Sequence, residues 1–271
     1  MPELPEVETT RRGIEPHMLH HTLRGAVVRQ RRLRWPVPKG LDALVRDQIV
    51  QQVTRRGKYI VIQLNSGNLL LHLGMSGSLR ILPATTPAEK HDHIDLLLDN
   101  GNCLRLRDPR RFGSIHWLKD DPAKHKLLCD LGPEPLEEEF NTEYLFNKSR
   151  KRKLAVKLFI MDSKIVVGVG NIYASEALYR AGIRPSKQAG RVSKADYEKL
   201  VHAIKIILNA AIRAGGTTLQ DFTNSDGKPG YFKQKLHVYD RKGEPCTKCG
   251  TPIKQTVMGQ RSTYYCPVCQ K

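Results

Sequence analysis

Four of the six cysteines stand in a spacing that binds metal. Cys246-x2-Cys249, sixteen residues, then Cys266-x2-Cys269 has the form of a four-cysteine zinc site. A CxxC turn puts two thiolates on one side of a tetrahedral ion, and a second such knuckle supplies the other two. The stretch between can fold as a β-hairpin, since Thr256-Val257 and Thr263-Tyr264-Tyr265 have strand propensity and Gly259 marks a turn. The last 45 residues have little core of their own, so one structural Zn2+ would supply folding energy there. Two disulfides or a redox CxxC are the alternatives. Cys103 and Cys129 stand alone and read as buried apolar residues. Other patterns fail. Tyr173 stands where Gly168-Val169-Gly170 would need a third glycine, and Ser78 stands where GxSxG needs its last one. His91-Asp92-His93 lies on a predicted loop and reads as surface or substrate-contacting, not as a metal site.

The chain of 271 residues suits one large domain or two to three small ones. With 39% hydrophobic and 27% charged residues it is globular rather than disordered. No apolar run approaches the ~18 residues of a membrane span. The start, MPELPEVETTRRGIEP, lacks the apolar stretch of a signal peptide. With reduced thiols, this predicts a cytoplasmic protein. Lys and Arg number 45 against 27 Asp and Glu, a net +18 that attracts polyanions. Residues 1–133 hold 21 basic against 14 acidic groups (+7), 134–226 hold 15 against 11 (+4), and 227–271 hold 9 against 2 (+7). The last segment is the most basic per residue. No basic amphipathic helix or lipidation signal stands out, so nucleic acid is favoured over an anionic membrane.

Residues 22–130 read as β. Strands are predicted over 25–28, 58–64, 68–73, 94–98 and 103–106, with hairpin turns at Asn65-Ser66-Gly67 and Asp99-Asn100-Gly101. Many short strands in one stretch suggest a sandwich or barrel. Before them, 7–12 can be helical. The texture changes near 133, where an acidic segment and then basic 148–153 lead into a helical region. Ser193 is a predicted N-cap for a helix burying Tyr197, Leu200, Val201, Ile204, Ile207, Leu208 and Ala211, and Gly215-Gly216 ends it.

MPELPEVET, HLGMSGSLR at 72–80, DPRRFG at 108–113, VVGVGNIYASEALYRAGI at 166–183, SDGKPGYF at 225–232 and the cysteine finger together resemble bacterial formamidopyrimidine-DNA glycosylase over the full length. The Leu4-Pro5-Glu6 continuation favours this purine-repair branch over the endonuclease VIII branch, which acts on oxidised pyrimidines. A zinc-ribbon DNA-binding regulator would explain charge and finger but not the PELPE start. The resemblance implies an α+β multidomain fold: an N-terminal β-sandwich (1–133), a helical helix-two-turn-helix module (134–226) and a C-terminal zinc-finger β-hairpin (237–271). It also implies a monomer that holds duplex DNA in the cleft between its halves, excises oxidised purines such as 8-oxoguanine, and incises the strand. The partner is DNA with oxidised bases or abasic sites, met at the nucleoid.

The resemblance assigns roles residue by residue. Loss of Met1 would free a secondary amine at Pro2; an α-amino group has a pKa near ~8, so roughly a tenth is unprotonated at pH 7. Attack on the sugar C1′ gives an iminium with no N–H to lose, an obligate electron sink. Glu3 resembles the general acid for the ring oxygen, and Glu6 a nucleotide-positioning or helix-capping group. Lys58 resembles a proton-transfer group in elimination, and Arg261 a phosphate clamp and donor in the second elimination. His91, Arg110, Lys151 and Asn171 resemble backbone contacts, Asn171 opening a helix after a glycine-rich turn. Tyr239 and Lys157 are further candidate contacts. Met75, Arg110 and Phe112 resemble the plug for the hole left by a flipped base. The 217–232 stretch resembles the loop that closes over that base.

Overall fold

The computed structural model describes residues 2–216 and 236–271. They divide into two compact units: one runs to Cys129 and takes in Ala214–Gly216, and the other comprises Asp130–Arg213 and the C-terminal segment to Lys271.

The first unit opens with helix α1 (Leu4–Met18), longer than the sequence predicts. Pro5 lies in its first turn, where a missing N–H costs nothing. Eight strands follow: β1 (Thr22–Val28), β2 (Gln48–Arg56), β3 (Tyr59–Leu64), β4 (Gly67–His72), β5 (Ser78–Pro83), β6 (Asp92–Leu98), β7 (Asn102–Arg107) and β8 (Ser114–Leu118). The short helix α2 (Leu41–Val45) interrupts them. Their order is β5-β7-β6-β1-β2-β3-β4-β8, all antiparallel. β1 and β2 share only Thr22↔Ile49 and Leu23↔Gln48, so the sheet folds over there into two four-stranded halves. One apolar core draws on both, with Leu79, Leu96 and Leu104 from one half and Val50, Ile62, Leu69 and Ile115 from the other. This is the expected sandwich. The residues before each predicted hairpin turn pair as expected, Leu64 with Gly67 across Asn65-Ser66.

One charged cluster lies inside this unit. Arg105 on β7 is opposite Asp95 on β6, both 2% exposed, and donates to it through Nε (2.8 Å) and Nη2 (2.9 Å). Arg29 adds a third bond at 2.6 Å. Burial raises the Asp95 carboxyl, and the two guanidiniums more than reverse this and hold it below its ordinary value. Arg105 also donates to Thr86 O and Pro87 O, strapping down the loop that leads to His91.

The second unit holds α3 (Thr142–Ser149), α4 (Val156–Met161), α5 (Asn171–Ala181) and α6 (Lys194–Arg213), then the hairpin β9 (Lys254–Met258) and β10 (Arg261–Tyr265). Ser193 Oγ accepts the Asp196 N–H at 3.0 Å, the expected N-cap, and the expected apolar face of α6 is buried. Gly215 and Gly216 end it at φ 75° and 84°, a region costly for other residues. The finger packs on α5, where Tyr179, Val238, Ile253 and Tyr264 form a small core with Cys246 and Cys266. Among the described residues, no helix is long and apolar enough to cross a membrane.

Removing one partner of a buried ion pair leaves the other charge uncompensated. Arg105→Ala leaves Asp95 with Arg29 as its remaining cation and is therefore expected to lower the unfolding free energy by about 3 kcal/mol, the low end for a broken buried pair. Guanidinium melts of the two proteins check this; a change below about 1 kcal/mol would place Asp95 in contact with water.

Candidate active site and nucleic-acid interface

Pro2 and Glu3 are buried, Glu3 to 2% exposure. The Glu3 N–H donates to Glu6 Oε2 at 2.8 Å, and the two residues form a capping box at the head of α1. Of the two roles left open for Glu6, the structure shows the helix cap. One turn on, Glu8 binds Arg55 of β2 at 3.1 Å. Burial raises the Glu8 carboxyl, but Arg11, Arg12 and Arg55 outweigh this and leave it lowered. Arg55 Nη1 donates in turn to Gly57 O at 2.8 Å. Gly57, at φ 58°, and Lys58 make the two-residue turn between β2 and β3. Lys58 thus sits in the turn, not in the strand predicted from 58, and Arg55 ties that turn to α1.

His72 ends β4, where its Nδ1 accepts the Gly74 N–H at 3.0 Å. Burial, then the positive charges of Lys58 and Arg34, lower its pKa to about 4. The neutral ring starts the loop that carries Met75. Asp108, fully buried, joins that loop to the next. Its Oδ1 accepts from Ser76 Oγ (2.8 Å), and its Oδ2 from the Gly113 N–H (2.7 Å). Ser76 Oγ also accepts the Arg110 N–H at 3.2 Å. Gly74, at φ 63°, lies so close to Phe112 and Gly113 that a Cβ there would stand 2.3 Å from the Phe112 carbonyl carbon. Met75, Arg110 and Phe112 are therefore brought together on two linked loops. The Arg110 guanidinium stands 4.9 Å from the centre of the Phe112 ring, which is 42% exposed rather than core. Within His91-Asp92-His93, Asp92 and His93 are buried and engaged, His93 Nε2 bonding Asp108 O at 2.8 Å, and only His91 is partly exposed.

In the second unit, Asn171 opens α5 after Gly170, as expected. Its Oδ1 accepts from Lys157 Nζ (2.6 Å) and its Nδ2 donates to Ser262 O (2.9 Å). Lys157 is completely buried and donates also to Ser262 O (3.1 Å) and Thr263 Oγ1 (2.6 Å). Lys157, a further candidate contact, is thus engaged inside the fold, where it couples Asn171 to β10. Arg261, at the exposed head of β10, is next to this junction. Tyr239 is held through its backbone N–H, donated to the buried Glu176 at 2.8 Å. Lys151 is exposed, with φ 63°. The predicted closing loop at 217–232 lies outside the described residues, as does Met1.

The four finger cysteines fit a zinc ion. Their sulfurs all lie within 4.8 Å of one another, with Cys246–Cys269 at 3.9 Å and Cys249–Cys266 at 3.5 Å. A tetrahedron with ~2.3 Å Zn–S bonds has edges of about 3.8 Å. Disulfides are absent from all six cysteines. Cys103 is buried as expected; Cys129 is exposed, because it ends a surface turn in which its N–H bonds His125 O. Sequence reasoning did not find Arg55, Asp108 or the positioning role of Lys157. Asp108 opens the DPRRFG motif, but its bond to Ser76, like those of Arg55 to Glu8 and of Lys157 to Thr263, spans 32 to 106 residues, and no local pattern shows it.

Residues 1–115 match the model of the formamidopyrimidine-DNA glycosylase N-terminal domain, 131–223 that of its H2TH domain, and 243–271 that of the zinc finger found in FPG and IleRS. A sheet sandwich, a helical module and a thiolate finger together define a DNA glycosylase of helix-two-turn-helix type. The chain belongs to the formamidopyrimidine-DNA glycosylase family. It is 56% identical to the formamidopyrimidine-DNA glycosylase of Thioalkalivibrio sulfidiphilus and 57% to that of Escherichia coli, with 100% of both chains covered in each case. Among solved structures, the MutM (Fpg) protein of Thermus thermophilus has a TM-score of 0.89 at 37% identity, covering 99% of this chain and 98% of that one. Lactococcus lactis Fpg in complex with Fapy-dG-containing DNA has a TM-score of 0.90 at 32% identity, covering 99% and 100%.

Two outcomes follow. The unfolded His72 titrates near 6.5 and the folded one near 4, so between these values the unfolded chain binds the extra proton. Stability is present above about pH 6.5 and is lost as pH falls toward 4. His72→Gln keeps an acceptor for Gly74 and cannot titrate. Its melting temperature should fall less than the parent's between pH 7 and 4.5, and an unchanged slope would assign the effect to other groups. For the finger, metal analysis should find one zinc per chain, and Cys249→Ser should lose zinc and duplex binding together. Folded, active protein without zinc would contradict this.

Proposed function

We propose that this chain is a bifunctional DNA glycosylase and abasic-site lyase that removes 8-oxoguanine and formamidopyrimidines from duplex DNA through Pro2, then cuts the strand by β,δ-elimination. The observation that carries the reading is the buried Pro2-Glu3 pair, pinned by the capping box and backed by the Glu8–Arg55–Gly57 chain behind Lys58. Once Met1 is removed, the Pro2 nitrogen attacks C1′ as the bond to the damaged base breaks, and the proton the nitrogen loses goes, directly or through water, to the departing base. Glu3 gives its proton to the ring oxygen as the sugar opens, and the Pro2 nitrogen becomes an iminium. Loss of the C2′ proton expels the 3′ phosphate, and a second elimination expels the 5′ phosphate. Lys58 moves protons in the first of these, and Arg261 clamps phosphate and donates in the second. His91, Arg110, Lys151 and Asn171 grip the backbone, while Met75, Arg110 and Phe112 fill the vacated stack.

The zinc, held by Cys246, Cys249, Cys266 and Cys269, contributes folding energy only. The sandwich supplies the nucleophile, and the helical module and finger supply phosphate contacts, over the ranges read from the sequence. The enzyme works as a monomer in the bacterial cytoplasm, on the nucleoid, in base-excision repair.

Borohydride reduction during reaction with 8-oxoguanine duplex should leave DNA joined to residue 2, with Met1 absent by mass spectrometry. Protein retaining Met1 has an amide nitrogen at residue 2 and should bind without trapping. Glu3→Gln should bind normally and excise about 10²–10⁴-fold more slowly. If Lys58→Ala abolishes trapping while the Met1-retaining form still traps, Lys58 is the nucleophile and Pro2 is not.

A further inference from the structure

A cavity of about 550 Å³ opens between α5, α6 and the finger, and none of its walls enters the chemistry above. Ile206, Ile207 and Ala210 of α6 form an apolar floor. Beside it, Tyr179 and His237 stack with ring centres 5.7 Å apart and planes inclined by 22°. Lys248 Nζ stands 4.7 Å from the Tyr179 ring centre, and Lys248 and Arg180 are both exposed at the rim. Cavities of roughly 300–1,000 Å³ take compact organic ligands, and an apolar floor with aromatic edges suits a flat ring.

Charge narrows the class. By formal charge, Arg180 and Lys248 contribute +2 and Glu176 −1, which leaves +1. Glu176 accepts three backbone N–H groups, from His237, Val238 and Tyr239 at 2.9, 2.9 and 2.8 Å, so its side chain is anchored in the wall. Behind Tyr179, whose hydroxyl is 3.1 Å from Cys246 Sγ, four thiolates around Zn2+ carry a formal −2. A multiply charged phosphate meets that field as repulsion; a single carboxylate at the rim meets the two cations.

We propose that this cavity binds a flat aromatic monocarboxylate, its ring on the Ile206–Ala210 floor and its carboxylate between Arg180 and Lys248. Titration calorimetry of the zinc-loaded full chain with 2-naphthoate, 2-naphthamide and 2-naphthylmethylamine tests this. The acid should bind once per chain, at least about tenfold more tightly than the amide, and the amine should not bind. Lys248→Glu should weaken the acid about tenfold or more at unchanged zinc content. Ala210→Trp, which fills the floor, should abolish binding. If Lys248→Glu loses zinc, Arg180→Gln on α5 carries the charge test instead. Equal affinity for acid and amide would overturn the proposal, as would binding retained by folded Ala210→Trp. Displacement of naphthoate by lesion-free duplex would also overturn it, making the cavity part of the nucleic-acid surface.

Discussion

A chain end is the part of a fold most prone to fraying, yet a terminal amine can act as a nucleophile only if it is held still. Under the role proposed for Pro2, that constraint accounts for how the head of the first unit is built. The helix begins at Leu4, two residues after Pro2, so Pro2 is tied closely to the first turn. Glu3 and Glu6 satisfy each other's orphan groups at the helix head, which removes the usual reason for a first turn to open. Burial of Leu4, Val7 and Ile14 then anchors the helix to the sandwich core. Glu8 extends the same grip sideways to Arg55 and the Lys58 turn.

The same device recurs wherever a loop must be placed. Arg55, Asp108 and Lys157 are each a single polar side chain that collects groups from two segments distant in sequence. Taking a charge out of water is costly, and only several good hydrogen bonds offset that cost. A loop held this way has one low-energy position instead of many. Apolar packing could bury the same area, but it would not fix the direction of a backbone N–H such as that of Arg110 or Gly113.

Much of this was legible in the sequence. The cysteine spacing and the apolar periodicity of α6 are local patterns, and both stand in the structure. The hairpins with Asn/Asp and Gly turns were found for the same reason. β2 is hard to read in the sequence because its buried Val50 and Val53 are three residues apart across a register shift, with exposed Gln51 and Gln52 between them, so no alternation of apolar and polar residues shows. Pro5 conceals the helix start at Leu4, because a proline in the first turn looks like a break but loses no hydrogen bond there. Lys58 falls one position before the strand, because a glycine turn and a strand start look alike in sequence. Asp108–Ser76 and Lys157–Thr263 span 32 and 106 residues, and only the completed fold brings them together.

The finger shows how a distant metal can set the side chain proposed to clamp phosphate, Arg261. On β10, Thr263, Tyr264 and, just beyond, Cys266 are buried, while Arg261 at the far end is exposed. Cys266 fixes one end of the strand through the thiolate cluster, and Lys157 grips its middle at Ser262 and Thr263. The free end can then pivot little, and it is turned over by Gly259 and Gln260, both at positive φ. Asn171 binds the same Ser262 carbonyl, so α5 and Arg261 share one reference point. Zinc needs no contact with DNA for this to matter. Its coordination energy holds a strand whose other end carries the guanidinium.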